Sequence, residues 1–175
     1  KIMDNAGITS IDTKEDFKKY MSAASVNGTY GYGGSWEKTY VFNEIAQFVN
    51  MFGGDYFDWT RPENKEAIQF LYDMVKNNET PIDQIADKYE QMNPKANDGK
   101  YGCWFMWGLG SDYQKAGMLG DDKIHMAMVP SMTDDGNRAI FTDSWSYVLN
   151  SASKNKEAAI KFLKYMASEG GMEAS

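Results

Sequence analysis

The chain has one cysteine, Cys103, and one histidine, His125. A lone cysteine cannot close an intramolecular disulfide. Set in an apolar run, Cys103 reads as a small core hydrophobe. A zinc site or a Ser-His-Asp triad would have to be built around His125 alone; it lies in an apolar stretch and reads as a structural side chain. Basic charge is also short: 18 Lys and Arg stand against 25 Asp and Glu, a formal net charge of −7. Phosphate backbones need clustered cations, which argues against a nucleic-acid partner, and the acidic excess serves solubility. No run approaches the length of a membrane span, and no signal peptide is visible. Repeats and low-complexity segments are absent.

The glycine-rich pieces 31–34 and 108–110 match neither the dinucleotide nor the P-loop spacing and read as turns. Asp134-Asp135-Gly136-Asn137 resembles the start of a calcium loop but lacks the acidic residue that should close it, so it too reads as a turn. No cofactor and no metal are expected. Asp55 and Asp58 have the residue types of a glycosidase acid/base pair. Asp55 directly follows a helix stop, however, where a carboxylate commonly satisfies turn amides.

What is present is aromatic. Phe, Trp and Tyr make up 14% of 175 residues, enough chain for one domain with a real core. Residues 101–112, YGCWFMWGLGSD, read as a buried strand that delivers its end to a crevice, with Trp104 and Trp107 on opposite faces. Earlier, Asp12-Thr13 followed by Asp16 predicts an N-cap with an acidic first turn, and Phe17, Tyr20, Met21 and Ala24 follow at helical spacing, with the helix ending near Asn27-Gly28. Residues 29–33 predict a short strand. A second helix is expected over 37–52, with Val41, Ile45, Phe48, Val49 and Phe52 as its apolar stripe and Gly53-Gly54 as its stop. Thr60 and Glu63, with Pro62 between them, predict a capping box for a third helix through Val75.

A short helix over 82–91 and a turn at Asn97-Asp98-Gly99 come next. After the 101 strand, a helix is expected over 111–118, strands over 124–129 and 139–149, and a last helix over 154–167 capped by Ser153. Helices interleaved with strands place the chain in the α/β class. Trp36 and Tyr40 precede the second helix, Trp107 ends a strand, and Trp145 sits in the polar run TDSWSY. An aromatic among Ser, Thr and Asp is poor core material and suits a sugar: its face covers the apolar C–H side while neighbouring polar groups take the hydroxyls. Glu37, Asn43, Asp143 and Ser144 are the polar candidates, and Trp36, Tyr40, Trp107 and Trp145 the rings.

Four stretches carry a family resemblance. DTKEDFKKYMSAA at 12–24 is similar to a TWDEF-type helix. Residues 39–58, ending FGGDYFD, with 62–75 opening PENKEA, resemble an aromatic helix stopped by GGD and the helix after it. Residues 99–112 resemble a GKAAM strand and its turn, and SWSYVLNSASKNKEAAIKFLKYM at 144–166 resembles a GWGLAIS strand with an SKNKEAA helix. Together, in order, they resemble the extracellular solute-binding proteins of ABC importers, in the carbohydrate-binding group that includes maltose-binding protein.

The resemblance implies a type II periplasmic-binding-protein-like α/β fold. Residues 1–142 would form mainly the second, C-terminal lobe, and 143–175 a hinge-crossing strand and helix that return to the first. It implies non-catalytic capture of a carbohydrate, in particular an oligosaccharide, and delivery to a membrane permease, outside the cytoplasmic membrane as a lipid-anchored or periplasmic protein. Trp36, Glu37, Tyr40 and Asn43 would lie on the lobe's wall of the cleft, and Trp145 with Asp143 and Ser144 at the hinge strand. Family members are much longer, and residues 1–7 read like the end of a helix already under way. A piece without its N-terminal lobe is therefore expected, with self-association through the exposed inter-lobe face. One departure is Leu109, where the family places a stacking tryptophan; Trp107 comes earlier. The alternatives are a lobe for a non-sugar solute such as a peptide, polyamine or metal complex, and a glycoside hydrolase lobe using Asp55 and Asp58.

Overall fold

In the computed structural model, residues 2–105, 110–120, 123–142 and 146–174 are described. They divide into two units, Lys1–Phe141 and Thr142–Ser175.

In the first unit, α1 (Ile2–Ala6) leads to α2 (Lys14–Ala24). Thr13 caps α2 as its position predicts: its hydroxyl accepts from the Asp16 N–H, and the Asp16 carboxylate accepts in return from the Thr13 N–H at 3.0 Å. The helix stops at Ala24, before the expected Asn27-Gly28. Those two residues instead form a left-handed turn, with φ of 55° and 80°. The chain then enters β1 (Tyr30–Tyr32), runs through α3 (Val41–Met51) and α4 (Pro62–Lys76), and passes a 3-10 turn (Ile82–Ala86) and α5 (Tyr89–Asn97). It returns as β2 (Tyr101–Cys103), parallel to β1 in the register Tyr30↔Tyr101 and Tyr32↔Cys103. Parallel strands joined through helices make this α/β. A short helix, α6 (Gly110–Lys115), follows. In the second unit, α7 (Lys156–Met166) and α8 (Glu169–Ala174) follow one another.

The main core joins α2, β1, α3 and α4. Phe17, Met21, Tyr32, Phe48, Phe70 and Met74 bury together, with the Tyr32 ring edge-on to Phe48 at 5.5 Å. A second cluster, Ile8, Tyr20 and Ala24, seats α1 on α2, and a third, Met92, Ala96 and Tyr101, seats α5 on β2 with Trp104 against it. Cys103 is where a small core residue should be. Its thiol donates to the Gly31 carbonyl at 3.2 Å, and burial pushes its pKa up to about 12.

Several expected elements differ. The strand predicted over 101–112 is three residues long, and Trp104 lies beyond it. The second helix starts at Val41 rather than 37; before it the Trp36 and Glu37 N–H groups donate to the Gln84 and Asp87 carbonyls at 3.2 Å each, and the Tyr40 N–H closes a turn on the Glu37 carbonyl at 2.8 Å. The Thr60–Glu63 capping box does not form: Thr60 bonds to the Asp58 carboxylate instead, and Arg61 stands at the N-cap without a side-chain capping bond, its guanidinium paired with Glu63. The helix expected over 82–91 is split at Asp87 into the 3-10 turn and α5, which runs through Pro94. The final helix begins two residues late, with Ser153 bonded to the Asn155 N–H rather than capping it.

No strand forms over 124–129, nor among the described residues of 139–149. Met126 and Met128 are exposed, and so is His125, which is therefore not a core side chain. A strand needs a backbone neighbour, and alternation cannot supply one. At 139–141 a side chain takes that place: the Gln47 amide donates to the Ala139 carbonyl at 3.2 Å and accepts from the Phe141 N–H at 2.8 Å.

Candidate functional site

Helix α3 is buried on nearly every side, yet its inner surface includes three polar residues, Asn43, Glu44 and Gln47, at 5%, 3% and 8% exposure. A helix apolar or buried all round has no solvated face for such groups. They open instead into a cleft of about 180 Å³. The rings of Tyr89 and Phe105 and the apolar side chains of Val129, Ile140 and Phe141 complete its walls.

Glu44 sets the electrostatics. Burial drives its carboxyl up to about 7, against a hydrogen bond from the Tyr32 hydroxyl and another from the Ser35 N–H, both of which pull it down. The Tyr32 hydroxyl is in turn raised well above its ordinary value, by burial first and by the Glu44 charge second. Beside Glu44, both polar atoms of the Asn43 amide are buried and have no hydrogen-bond partner among the described residues. The Trp36 indole nitrogen is in the same condition. A Cβ on Gly34 would lie 2.8 Å from that nitrogen and 3.2 Å from the Glu44 carboxyl carbon, so the indole N–H and the carboxyl flank one glycine, which a larger residue could not replace. Unpaired buried polar groups cost about 1–3 kcal/mol each, and a ligand supplying the missing bonds would recover it.

A polar lattice fixes the loop before α3. The Gln84 side chain, fully buried, accepts from the Gly34 N–H at 2.9 Å and donates to the Thr80 hydroxyl at 2.8 Å, which itself donates to the Tyr32 carbonyl. The Ser35 hydroxyl donates to the Asp87 carbonyl at 3.0 Å, and the Asp87 carboxylate pairs with Lys95 of α5. The loop that carries Trp36 is thus pinned through Gly34 and Ser35.

Of the residues singled out from sequence, Asn43 lines the cleft. Trp36 is half-buried against the core beside it. Tyr40 stands edge-on to the cleft residue Tyr89, with ring centroids 4.9 Å apart. Glu37 does not line the cleft: its carboxylate closes its own turn on the Thr39 N–H at 2.9 Å, and the Thr39 bonds hold its pKa down. Trp107, Asp143, Ser144 and Trp145 lie outside the described residues. Glu44, Gln47, Tyr89 and Phe105 were not anticipated. The signal that could have found the first two is a helix of eleven residues with one charge and no basic residue, too apolar for its few polar groups to be solvated.

The other candidates are accounted for locally. Asp55 accepts from the Phe57 N–H and Asp58 from the Thr60 N–H and hydroxyl, both at the surface. Asp135 likewise closes the 133–137 turn. A larger hollow of about 480 Å³ lies along the outer side of α4 by Trp59, Ile68 and Tyr72, but the polar side chain buried there, Asn64, has its amide bonded to the 55–58 turn. Among the described residues no group of His, Cys, Asp and Glu is placed to hold a metal, and no helix is long and apolar enough to cross a membrane.

Comparison with curated proteins returned no match. The family model described as "Bacterial extracellular solute-binding protein" matches residues 1–173, nearly the whole chain. An α/β chain with a polar cleft built around a buried helix is in keeping with that match, and the chain belongs to the bacterial extracellular solute-binding proteins.

Proposed function

We propose that the solute is a carbohydrate, in particular an oligosaccharide, held at the α3 cleft. Membership of the family makes the chain a solute-binding component of an ABC importer, a generally non-catalytic role on the outer side of the membrane, with a permease as partner. The observation that carries the sugar reading is the buried Asn43 amide, unpartnered on both atoms, between the Glu44 carboxyl and a wall of rings. A sugar presents hydroxyls that both donate and accept, with apolar C–H faces between them, and so suits such a wall. A micromolar ligand requires about 8 kcal/mol. Ring contacts of roughly 0.5–1.5 kcal/mol each leave a large share to charge-assisted hydrogen bonds of about 1.5–3 kcal/mol.

Residues 1–142 are read as the C-terminal lobe and 143–175 as the hinge-crossing strand and helix, and Trp107, Asp143, Ser144 and Trp145 are kept as sugar-binding candidates on the sequence alone. The opposite wall would come from the other lobe of the same protein. Lipid anchoring and self-association of the lobe belong to the same proposal. A second reading, a cationic solute such as a polyamine, is favoured by one observation: the Glu44 carboxyl has no basic partner among the described residues lining the cleft. No comparable observation favours the hydrolase reading.

Intrinsic tryptophan fluorescence decides between solutes, because Trp36 flanks the cleft. With maltotriose, cellotriose, xylotriose and raffinose as the panel, at least one sugar is expected to change the emission saturably and to be recovered chemically intact. A saturable change with spermidine or a dipeptide and with no sugar would overturn the carbohydrate reading.

A further inference from the structure

We propose that capture of a solute at this cleft is coupled to loss of a proton from Glu44, so that the chain binds its solute more weakly as the medium acidifies. The inference rests on the reading of the α3 cleft as the solute site. It starts from geometry: Glu44 lines the cleft at 3% exposure, and both bonds that reach its carboxyl come from donors, the Tyr32 hydroxyl and the Ser35 N–H. Donors suit the anion, and Glu44 is one of the residues that line the cleft.

Among the described residues lining the cleft none is basic, and the Arg138 guanidinium, on the 129–141 stretch that walls it, is held by the Asp12 carboxylate and the Val129 carbonyl. Glu44 is the one ionisable residue of α3. The ionisable groups facing it are Tyr32 from β1 and Tyr89 from α5, with Cys103 of β2 behind Tyr32. Burial holds the Tyr32 hydroxyl and the Cys103 thiol neutral. Helix α4 meets α3 through Phe70, an apolar contact with Phe48 and Phe52. No Lys or Arg lines the cleft among the described residues. Burial in these surroundings leaves a carboxyl titrating at about 7. A solute hydroxyl or ammonium that donates to it favours the charged form and expels the proton. If only the carboxylate binds, affinity falls about twofold at the carboxyl's own midpoint and about tenfold per pH unit below it.

The test is calorimetry of the same sugar panel and of spermidine, in phosphate and in Tris, whose different ionisation enthalpies report the protons exchanged. Wild type is expected to release about half a proton per solute bound at pH 7 and almost none at pH 9. Glu44→Gln is expected to exchange none and to bind with a flat pH profile. Tyr32→Phe, which removes one donor from the carboxyl, is expected to move the midpoint upward, and it stands in if Glu44→Gln does not fold. Binding without proton exchange in wild type, or equal exchange in Glu44→Gln, would overturn the coupling. Binding of spermidine and of no sugar would sink the carbohydrate reading while the coupling is still measured. Carbon-13 titration of the glutamate carboxyls in the solute-free protein provides an arm independent of any solute. A Glu44 carboxyl titrating in the ordinary carboxylate range would overturn the coupling whatever binds.

Discussion

Gln84→Leu is expected to destabilise the solute-free protein by about 2–4 kcal/mol and to loosen the loop that carries Trp36. The substitution keeps the approximate volume and deletes two interior hydrogen bonds. The Gly34 N–H would lose its acceptor and the Thr80 hydroxyl its donor, both in a region with almost no solvent access. The Gly34 N–H left unpaired costs about 1–3 kcal/mol, and the lost bond to the Thr80 hydroxyl adds about 1 kcal/mol. Thr80 retains its bond to the Tyr32 carbonyl, so β1 itself should persist. Denaturant unfolding measures the loss, and tryptophan emission reports the loop. A change below about 0.5 kcal/mol, the level of an ordinary surface substitution, would show that the lattice does not hold the loop.

The contrast between what the sequence shows and what it hides follows interaction range. Thr13 and Asp16 cap α2 through bonds spanning three residues, so the signal is local and readable. Gly53 stops α3 at φ 75°, again a local matter. The loop before α3 is set at long range: the Trp36 and Glu37 N–H groups find partners some fifty residues away, in the turn around Gln84 and Asp87. Thr60 fits a capping box by spacing, but the Asp58 carboxylate two residues back competes for it and wins. Residues 124–129 and 139–149 alternate like strands. Whether they pair depends on a neighbour that alternation cannot name, and at 139–141 the neighbour is the Gln47 side chain.

The same logic holds at the cleft. Trp36, Tyr40 and Asn43 were reachable from their position at a helix start and from the family resemblance. Glu44 was passed over because a glutamate on a helix is ordinarily solvated, and only the packing of β1 and the 33–37 loop against α3 shows that this one is not.

That burial has a consequence for stability, and its sign is definite. In the unfolded chain Glu44 titrates near its ordinary value of 4.5; folded, it titrates at about 7. The folded state therefore binds more protons between those values, and stability must fall as pH rises through that window. The stabilisation is fully present below about 4.5 and gone above about 7. A shift of that size corresponds to a loss on the order of 3 kcal/mol. The carboxylates with lowered pKa, Asp12, Asp16, Glu37, Asp58 and Asp135, act in the opposite sense, and only as pH falls below about 4. Glu79, raised by burial, adds to the Glu44 trend, so the wild-type slope alone is not diagnostic. The difference between wild type and Glu44→Gln isolates it. Unfolding free energies at pH 5 and 8 should fall steeply for wild type and much less for the variant. Parallel pH profiles would show that Glu44 ionises in the fold without penalty.

The central claim is that the α3 cleft is where the solute sits, and Asn43→Leu tests it most directly. The Asn43 amide bonds to nothing among the described residues, so the fold gains nothing from it. Leucine removes an unsatisfied buried group beside a cleft with room for the change. Paired measurement of unfolding free energy and of affinity for the binding sugar is expected to show stability unchanged or raised by about 1 kcal/mol, with affinity lost by at least about tenfold. Undiminished affinity in a folded Asn43→Leu protein would contradict the account and place the solute elsewhere.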